Sequence, residues 1–95
     1  DVRPGPTIAD GLKPTRPGDL TFQAARAHVD RMVTVSEQQI REATCDVLQR
    51  AKLVVEPSGA AAVAACHAGV LEDGRTTVAV LSGGNIDFHS FFCSP

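Results

Sequence analysis

The sequence has no tryptophan and no tyrosine, and its only aromatic residues are four phenylalanines. Large aromatic side chains therefore cannot supply most of the core, and alanine and valine must do so. Small side chains of this kind favour tight packing of helices against a sheet. A chain of 95 residues makes at most one domain with a thin core. We therefore treat residues 1–95 as a single unit.

Clustered charge and long apolar runs are also missing. Lysine and arginine are scattered and the formal net charge is -2, so the basic surface typical of nucleic-acid binding is absent. No apolar run approaches the ~20 residues that span a bilayer, and the sequence does not open with a secretion signal. We expect no nucleic-acid and no membrane partner. The first residue is not methionine, which predicts a natural N-terminus further upstream.

The three cysteines, Cys45, Cys66 and Cys93, are an odd number without the spacing of metal ligands. We expect Cys45 and Cys66 to be small buried side chains on helices, in a reducing cytoplasm. No helical or hairpin spacing brings His28 and His67 together, and the sequence predicts no metal site.

Hydrophobic spacing predicts three helices. Residues 1–19 are rich in proline and glycine and read as irregular; Asp19 could then cap a helix over 20–29. The clearest helix covers 37–51, because Ser36 and Gln39 form a capping box. A third, almost wholly apolar helix over 58–70 should end at Gly69 or Gly74. The side chains expected to face inward are Leu20, Phe22, Ala24 and Ala27 in the first helix, and Ile40, Ala43, Val47, Leu48 and Ala51 in the second.

Two apolar runs are typical of strands. Residues 32–35 are rich in β-branched side chains, and residues 76–81 are apolar on both faces, as in a buried parallel strand. The order of helices and strands predicts an α/β fold. Two strands do not make a stable parallel sheet, so we expect a partial three-layer parallel sheet that belongs to a larger layer.

Candidate site residues follow the predicted strands. The SGGN segment, residues 82–85, lies at the carboxyl end of strand 76–81, where open α/β sheets bind ligands. A tight turn without a ligand explains it equally well. Glu56 lies between an apolar run and a buried helix, so it either contacts a ligand or simply caps the helix. Asp10 and Gly11 read as a turn.

Four segments occur together in a telling order: PTIADGL at 6–12, VTVS at 33–36, VEPSGAA at 55–61 and LSGGNID at 81–87. In this order and at these separations, the chain resembles the closing part of the catalytic domain of serine/threonine dehydratases and serine racemases. These are fold-type II enzymes that use pyridoxal 5'-phosphate, and their large domain has the tryptophan synthase beta-like fold.

The resemblance implies site residues. Ser82 would hydrogen-bond the pyridine nitrogen of the cofactor, with Gly83 beside it. Glu56 would lie next to the cofactor ring, and Gly11 would lie against cofactor and substrate. The implied reaction is β-elimination from L-threonine or L-serine, giving 2-oxobutanoate or pyruvate plus ammonia. Serine racemase and hydroxyaspartate ammonia-lyase activities stay open, as does a non-catalytic interaction module.

The resemblance also implies what lies elsewhere. The lysine that links the cofactor lies upstream in the family, in a Ser-x-Lys context that neither Lys13 nor Lys52 has. The phosphate-binding loop is upstream too. The expected partners are therefore an amino-acid substrate, the missing N-terminal part of the enzyme, and further copies in a homodimer or larger assembly. We expect the chain alone to be inactive.

Overall fold

The computed structural model describes residues 2–71 and 74–93, and the described chain is mainly helical. Its α-helices are α1 (Asp19–His28), α2 (Glu37–Asp46) and α3 (Ala61–His67). Short 3-10 helices cover Asp10–Leu12 and Pro57–Ala60, and π-helical turns cover Val47–Ala51 and His89–Cys93. None of the described helices is both long and apolar enough to cross a membrane.

Helix α2 begins where the capping box predicts. The main-chain N–H of Gln39 donates to Ser36 Oγ at 3.1 Å, and the main-chain N–H of Ser36 donates to Gln39 Oε1 at 2.8 Å. Both main-chain donors at the helix start are thereby satisfied. The π-helical turn continues α2 to Ala51, and the chain then leaves at Lys52, which has a left-handed φ of 59°. The helix predicted over 37–51 is confirmed.

The core lies between α2, α3 and the 3-10 helix that precedes α3. Of the predicted stripe on α2, Ile40, Ala43 and Val47 are buried, whereas Leu48 is half-buried and Ala51 is exposed. Seven buried apolar residues form the core: Ala9, Ile40, Ala43, Val47, Val55, Ala60 and Ala64. Four of them are alanines, so α2 and α3 can approach closely, whereas the expected packing of helices against a sheet is not seen in the described residues.

The third predicted helix is divided in two. Pro57 occupies the first turn of the 3-10 helix, where its missing N–H costs no hydrogen bond. Helix α3 ends at His67, and Gly69 follows with a φ of 72°, which confirms Gly69 as the terminator. Cys45 and Cys66 lie on helices but are half-buried rather than buried, and all three cysteines are free.

The predictions for α1 are correct in extent and wrong in burial. Gly18 is the N-cap and Asp19 lies in the first turn, so Asp19 is not the cap. The expected inward face is exposed: Leu20 is 81% exposed, and no residue of α1 is buried. Periodicity reveals an apolar face but cannot say what covers it, and no other described element does.

No strand is formed within residues 2–71 and 74–93. The expected strands 32–35 and 76–81 both fall in described, non-helical chain; Val78 is 85% exposed and Val80 69%. A strand needs a neighbour for its N–H and C=O groups, and none lies beside these runs among the described residues. The partial three-layer sheet is thus not confirmed.

A carboxylate ties the N-terminal loop to α2. Thr7 Oγ1 donates to Glu37 Oε1, and the Ile8 amide donates to Glu37 Oε2 at 2.8 Å. The next residue, Ala9, is buried in the core. These two hydrogen bonds, first that of Thr7 and then that of Ile8, lower the pKa of Glu37 below its ordinary value of 4.5, with help from the charges of Arg41 and Lys13.

Glu37→Gln should destabilise the chain at neutral pH but not in strong acid. The pKa of Glu37 is lower in the folded state, so its contribution is present above the unfolded value and is lost as pH falls through the folded pKa. Because Glu37 is exposed, the free energy of unfolding of wild type and Glu37→Gln at neutral pH should differ by less than about 1 kcal/mol. Thermal melts of the helical circular-dichroism signal from pH 7 to pH 3 measure it.

The control for that experiment is Glu42→Gln, on the same helix, because Glu42 accepts only a local hydrogen bond from Gln38. If the difference in melting temperature between wild type and Glu37→Gln stays constant with pH, the proposed link between Glu37 and the loop is contradicted.

The exposed valines of segment 76–81 should make the isolated chain bind a hydrophobic dye and aggregate. Exposed apolar patches of this kind are an aggregation hazard. Replacing Val78 and Val80 by lysine should lower both dye fluorescence and light scattering. Thr77→Lys adds a charge to the same segment without removing an apolar side chain, and serves as the control. A monomeric wild-type chain without dye binding would refute the expectation.

Candidate functional site

The SGGN segment lies directly against Glu56. The main-chain N–H of Glu56 donates to the Gly83 carbonyl oxygen at 3.2 Å, and the main-chain N–H of Asn85 donates to Glu56 Oε1 at 3.4 Å. Glu56 precedes the 3-10 helix Pro57–Ala60 and is half-buried. Both its main chain and its side chain therefore hold the segment in place.

Only glycine fits at position 83. Gly83 has a φ of 78°, a conformation that side chains with a Cβ rarely adopt. A Cβ built there would also overlap the Glu56 carboxylate. The two requirements are independent and lead to the same conclusion: a side chain at this position would displace either Glu56 or the SGGN segment.

A second glycine governs the approach of Ser82. Gly59 is buried in the 3-10 helix, and a Cβ at this residue would overlap the carbonyl oxygen of Ser82. The main chains at Gly59 and Ser82 can thus lie closer than any side chain allows. Sequence reasoning did not single out Gly59. Gly59 follows a serine and precedes a run of alanines. A glycine in such an apolar segment often indicates that another main chain approaches closely, and this pattern could have identified it.

The ADG segment, residues 9–11, reaches the same turn from the other end of the chain. The Gly11 amide donates to Ser58 Oγ at 2.7 Å. A Cβ on Gly11 would lie 3.1 Å from Ser58 Oγ and 3.7 Å from Glu56 Oε2. Ser58, which sequence reasoning also missed, is therefore the direct link between this segment and the turn that carries Glu56.

All four predicted site residues surround one 3-10 turn. Gly11 and Gly83 border the Glu56 carboxylate, and Ser82 packs on Gly59 through its carbonyl oxygen. Gly11, Ser82 and Gly83 are exposed, so a ligand can approach their main chain. That they contact a cofactor stays a prediction.

The two lysines have partners of their own at the surface. Lys13 Nζ lies 3.0 Å from Asp10 Oδ1, and both side chains are exposed. Lys52 Nζ donates to the Gln49 carbonyl oxygen at 2.6 Å, beyond the end of α2. His67 Nδ1 lies 3.8 Å from Asp46 Oδ2. Among the described residues, no group of three or more histidine, cysteine, aspartate or glutamate side chains could hold a metal ion.

The chemistry of the cluster suits a flat ring with polar substituents. Gly11 and Gly83 are exposed and carry no side chain, so a flat ring can approach their main chain from the solvent side. Glu56 supplies a carboxylate, and Ser82 supplies a hydroxyl that can donate or accept. The residues present are therefore compatible with the pyridine ring of pyridoxal phosphate.

Comparisons with known proteins agree with this chemistry. An L-threonine ammonia-lyase from Thermotoga maritima is 45% identical over 82 residues, which are 86% of this chain and 20% of that protein. A crystal structure of a threonine deaminase from T.th. matches with a TM-score of 0.78 and 42% identity, over 87% of this chain and 27% of that chain. A serine racemase structure from Dictyostelium discoideum matches with a TM-score of 0.75 and 37% identity, over 85% and 27%.

The chain thus spans only about a fifth to a quarter of the length of these relatives. The sequence model of the pyridoxal-phosphate dependent enzymes matches residues 1–83, which include the ADG segment, Glu56 and Gly83. On the strength of that match, the chain belongs to the family of pyridoxal-phosphate dependent enzymes.

Proposed function

We propose that this chain is the C-terminal part of the catalytic domain of a threonine/serine ammonia-lyase. The enzyme would remove the Cα proton and the β-hydroxyl of L-threonine or L-serine, which leave as the elements of water. The enamine released would then be hydrolysed by water to 2-oxobutanoate or pyruvate plus ammonia. The observation that carries the proposal is the convergence of the ADG and SGGN segments on the turn at Glu56. The similarity to an L-threonine ammonia-lyase supports this choice of reaction.

The proposed cofactor contacts are Ser82, Glu56, Gly11 and Gly83. Pyridoxal phosphate, when bound, supplies an electron sink for the charge left at Cα when its proton is removed. Ser82 would offer its neutral hydroxyl to the pyridine nitrogen. A hydroxyl cannot hold a proton on that nitrogen as a carboxylate would, because it carries no charge. Ser82 thereby favours rapid loss of the β-hydroxyl over slower competing reactions.

Glu56 would act beside the ring by holding the SGGN segment in place. Its carboxylate accepts the Asn85 amide, and its own amide donates to Gly83. Gly11 and Gly83 would let substrate and cofactor lie against the main chain. The chain's own residues thus bind and orient, and we assign none of them the transfer of a proton.

The rest of the enzyme would supply what this chain lacks. We propose that a preceding segment carries the cofactor-linking lysine and the phosphate loop, and that its strands pair with the exposed residues 76–81 in a parallel sheet. The coverage of the relatives, at 20–27% of their length, supports this division. We also propose a homodimer or larger assembly and a cytoplasmic location; the three free cysteines are compatible with a reducing compartment.

Serine racemase is the second candidate, because a racemase structure matches over 85% of the chain at 37% identity. Both activities begin with loss of the Cα proton and differ in what happens next. Chiral analysis of the serine that remains, beside a pyruvate assay, separates the two.

The chain alone should show no turnover. Purified chain mixed with pyridoxal phosphate and L-threonine should give no more 2-oxobutanoate than the cofactor alone, since Lys13 and Lys52 lie at the surface with other partners. The longer protein should give steady turnover under the same conditions. Turnover by the chain alone would contradict the assignment of the lysine to a preceding segment.

Ser82→Ala in the longer protein should weaken cofactor binding by the value of one hydrogen bond, about 0.5–1.5 kcal/mol. Ser82→Asp should instead raise the proportion of racemised or transaminated product relative to oxo acid, because a carboxylate favours the protonated pyridine nitrogen. Cofactor titration and product analysis at equal cofactor occupancy measure the two effects.

Ser90→Ala is the matched control for these variants, since Ser90 donates only a local hydrogen bond to the Asp87 carbonyl oxygen. Unchanged affinity in Ser82→Ala together with an unchanged product ratio in Ser82→Asp would show that Ser82 is only a turn residue.

A further inference from the structure

We infer that Ser58 is a positioning residue whose hydroxyl sets the place of the ADG segment beside the Glu56 carboxylate. The inference rests on the proposed function, because it concerns the cofactor-facing surface of Gly11. Ser58 would act through Gly11. The resemblance implies no role for this residue, and its hydrogen bond to Gly11 carries the inference.

The Gly11 amide needs an acceptor from outside its own turn. The first N–H groups of a helix have no partner within it, and Gly11 is the second residue of the 3-10 helix Asp10–Leu12. Ser58 Oγ supplies the acceptor at 2.7 Å, across 47 residues of sequence. This single hydrogen bond joins the ADG segment to the turn at Glu56.

Ser58 is well placed because its own turn is constrained. Pro57 precedes it with a fixed φ and is buried, and the Gly59 and Ala60 amides both donate to the Glu56 carbonyl oxygen, at 2.9 and 3.1 Å. The direction of the Ser58 side chain therefore follows from the turn. The same turn holds the SGGN segment through Glu56. One short element therefore positions both Gly11 and Gly83.

Loss of the Ser58 hydroxyl should affect the position of the ADG segment more than the free energy of unfolding of the protein. The hydrogen bond lies at an exposed site, where water can replace the lost acceptor. A variant without the hydroxyl should therefore fold, while its ADG segment moves more freely relative to Glu56. This separates Ser58 from a residue that merely supports the core.

The test compares Ser58→Ala with Ser58→Thr in the full-length protein that carries this chain. The first readout is hydrogen exchange of the segment containing Gly11 in the cofactor-free protein. Ser58→Ala should exchange faster by roughly 2- to 10-fold, the value of one hydrogen bond. The second readout is the dissociation constant of pyridoxal phosphate, which should rise by a similar factor. Ser58→Thr keeps the hydroxyl and should restore both.

Thr21→Ala is the control, because the Thr21 hydroxyl also makes one exposed hydrogen bond with the main chain, donating to the Gly18 carbonyl oxygen, but lies on α1. Wild-type exchange at Gly11 in Ser58→Ala overturns the inference, as do equal effects of Ser58→Ala and Ser58→Thr, which would indicate a role of side-chain volume. A full-length wild-type protein without lyase or racemase activity refutes the proposed function instead, and the exchange data then still decide the role of the hydroxyl.

Discussion

The described structure depends on the close approach of two main chains, where the carbonyl oxygen of Ser82 lies against Gly59. This approach brings the end of the chain onto the 3-10 turn at Pro57–Ala60 and lets Glu56 reach both Gly83 and Asn85. A Cβ at Gly59 would separate these main chains, and a Cβ at Gly83 would displace the Glu56 carboxylate or the SGGN segment. Two glycines in distant parts of the sequence therefore serve neighbouring contacts, and neither can be understood from its own neighbours.

Helix positions could be predicted from the sequence, whereas burial could be predicted only in part: Ile40 and Val47 are buried as expected, and Leu20 is exposed. The capping box of Ser36 and Gln39 and the terminator Gly69 act within a few residues of the helix they define, so these signals are complete in the sequence. Burial depends on what lies opposite. The apolar faces of α1 and of residues 76–81 are suited to burial, yet α1 has no buried residue, and Val78 and Val80 are exposed. The expected sheet is not formed within the described residues for this reason, whereas α2 and α3 cover each other.

The candidate site was partly predictable. The resemblance named Ser82, Glu56, Gly11 and Gly83, and the structure gathers them around one turn, although their contacts with a cofactor stay predictions. Ser58 and Gly59 were missed because their partners, Gly11 and Ser82, are distant in sequence. To predict that other segments pack closely on the PSGA turn, one would have had to know which segments meet there.

The two hydrogen bonds that build the site close loops of different length. The bond of Asn85 to Glu56 closes 29 residues, within the range of 15 to 30 residues between positions on α2 and α3, whereas that of Gly11 to Ser58 closes 47. Closing a longer loop loses more chain entropy, so distant contacts form later than local ones. We therefore expect the bond between Gly11 and Ser58 to form last during folding, so that the ADG segment joins a helical pair already in place.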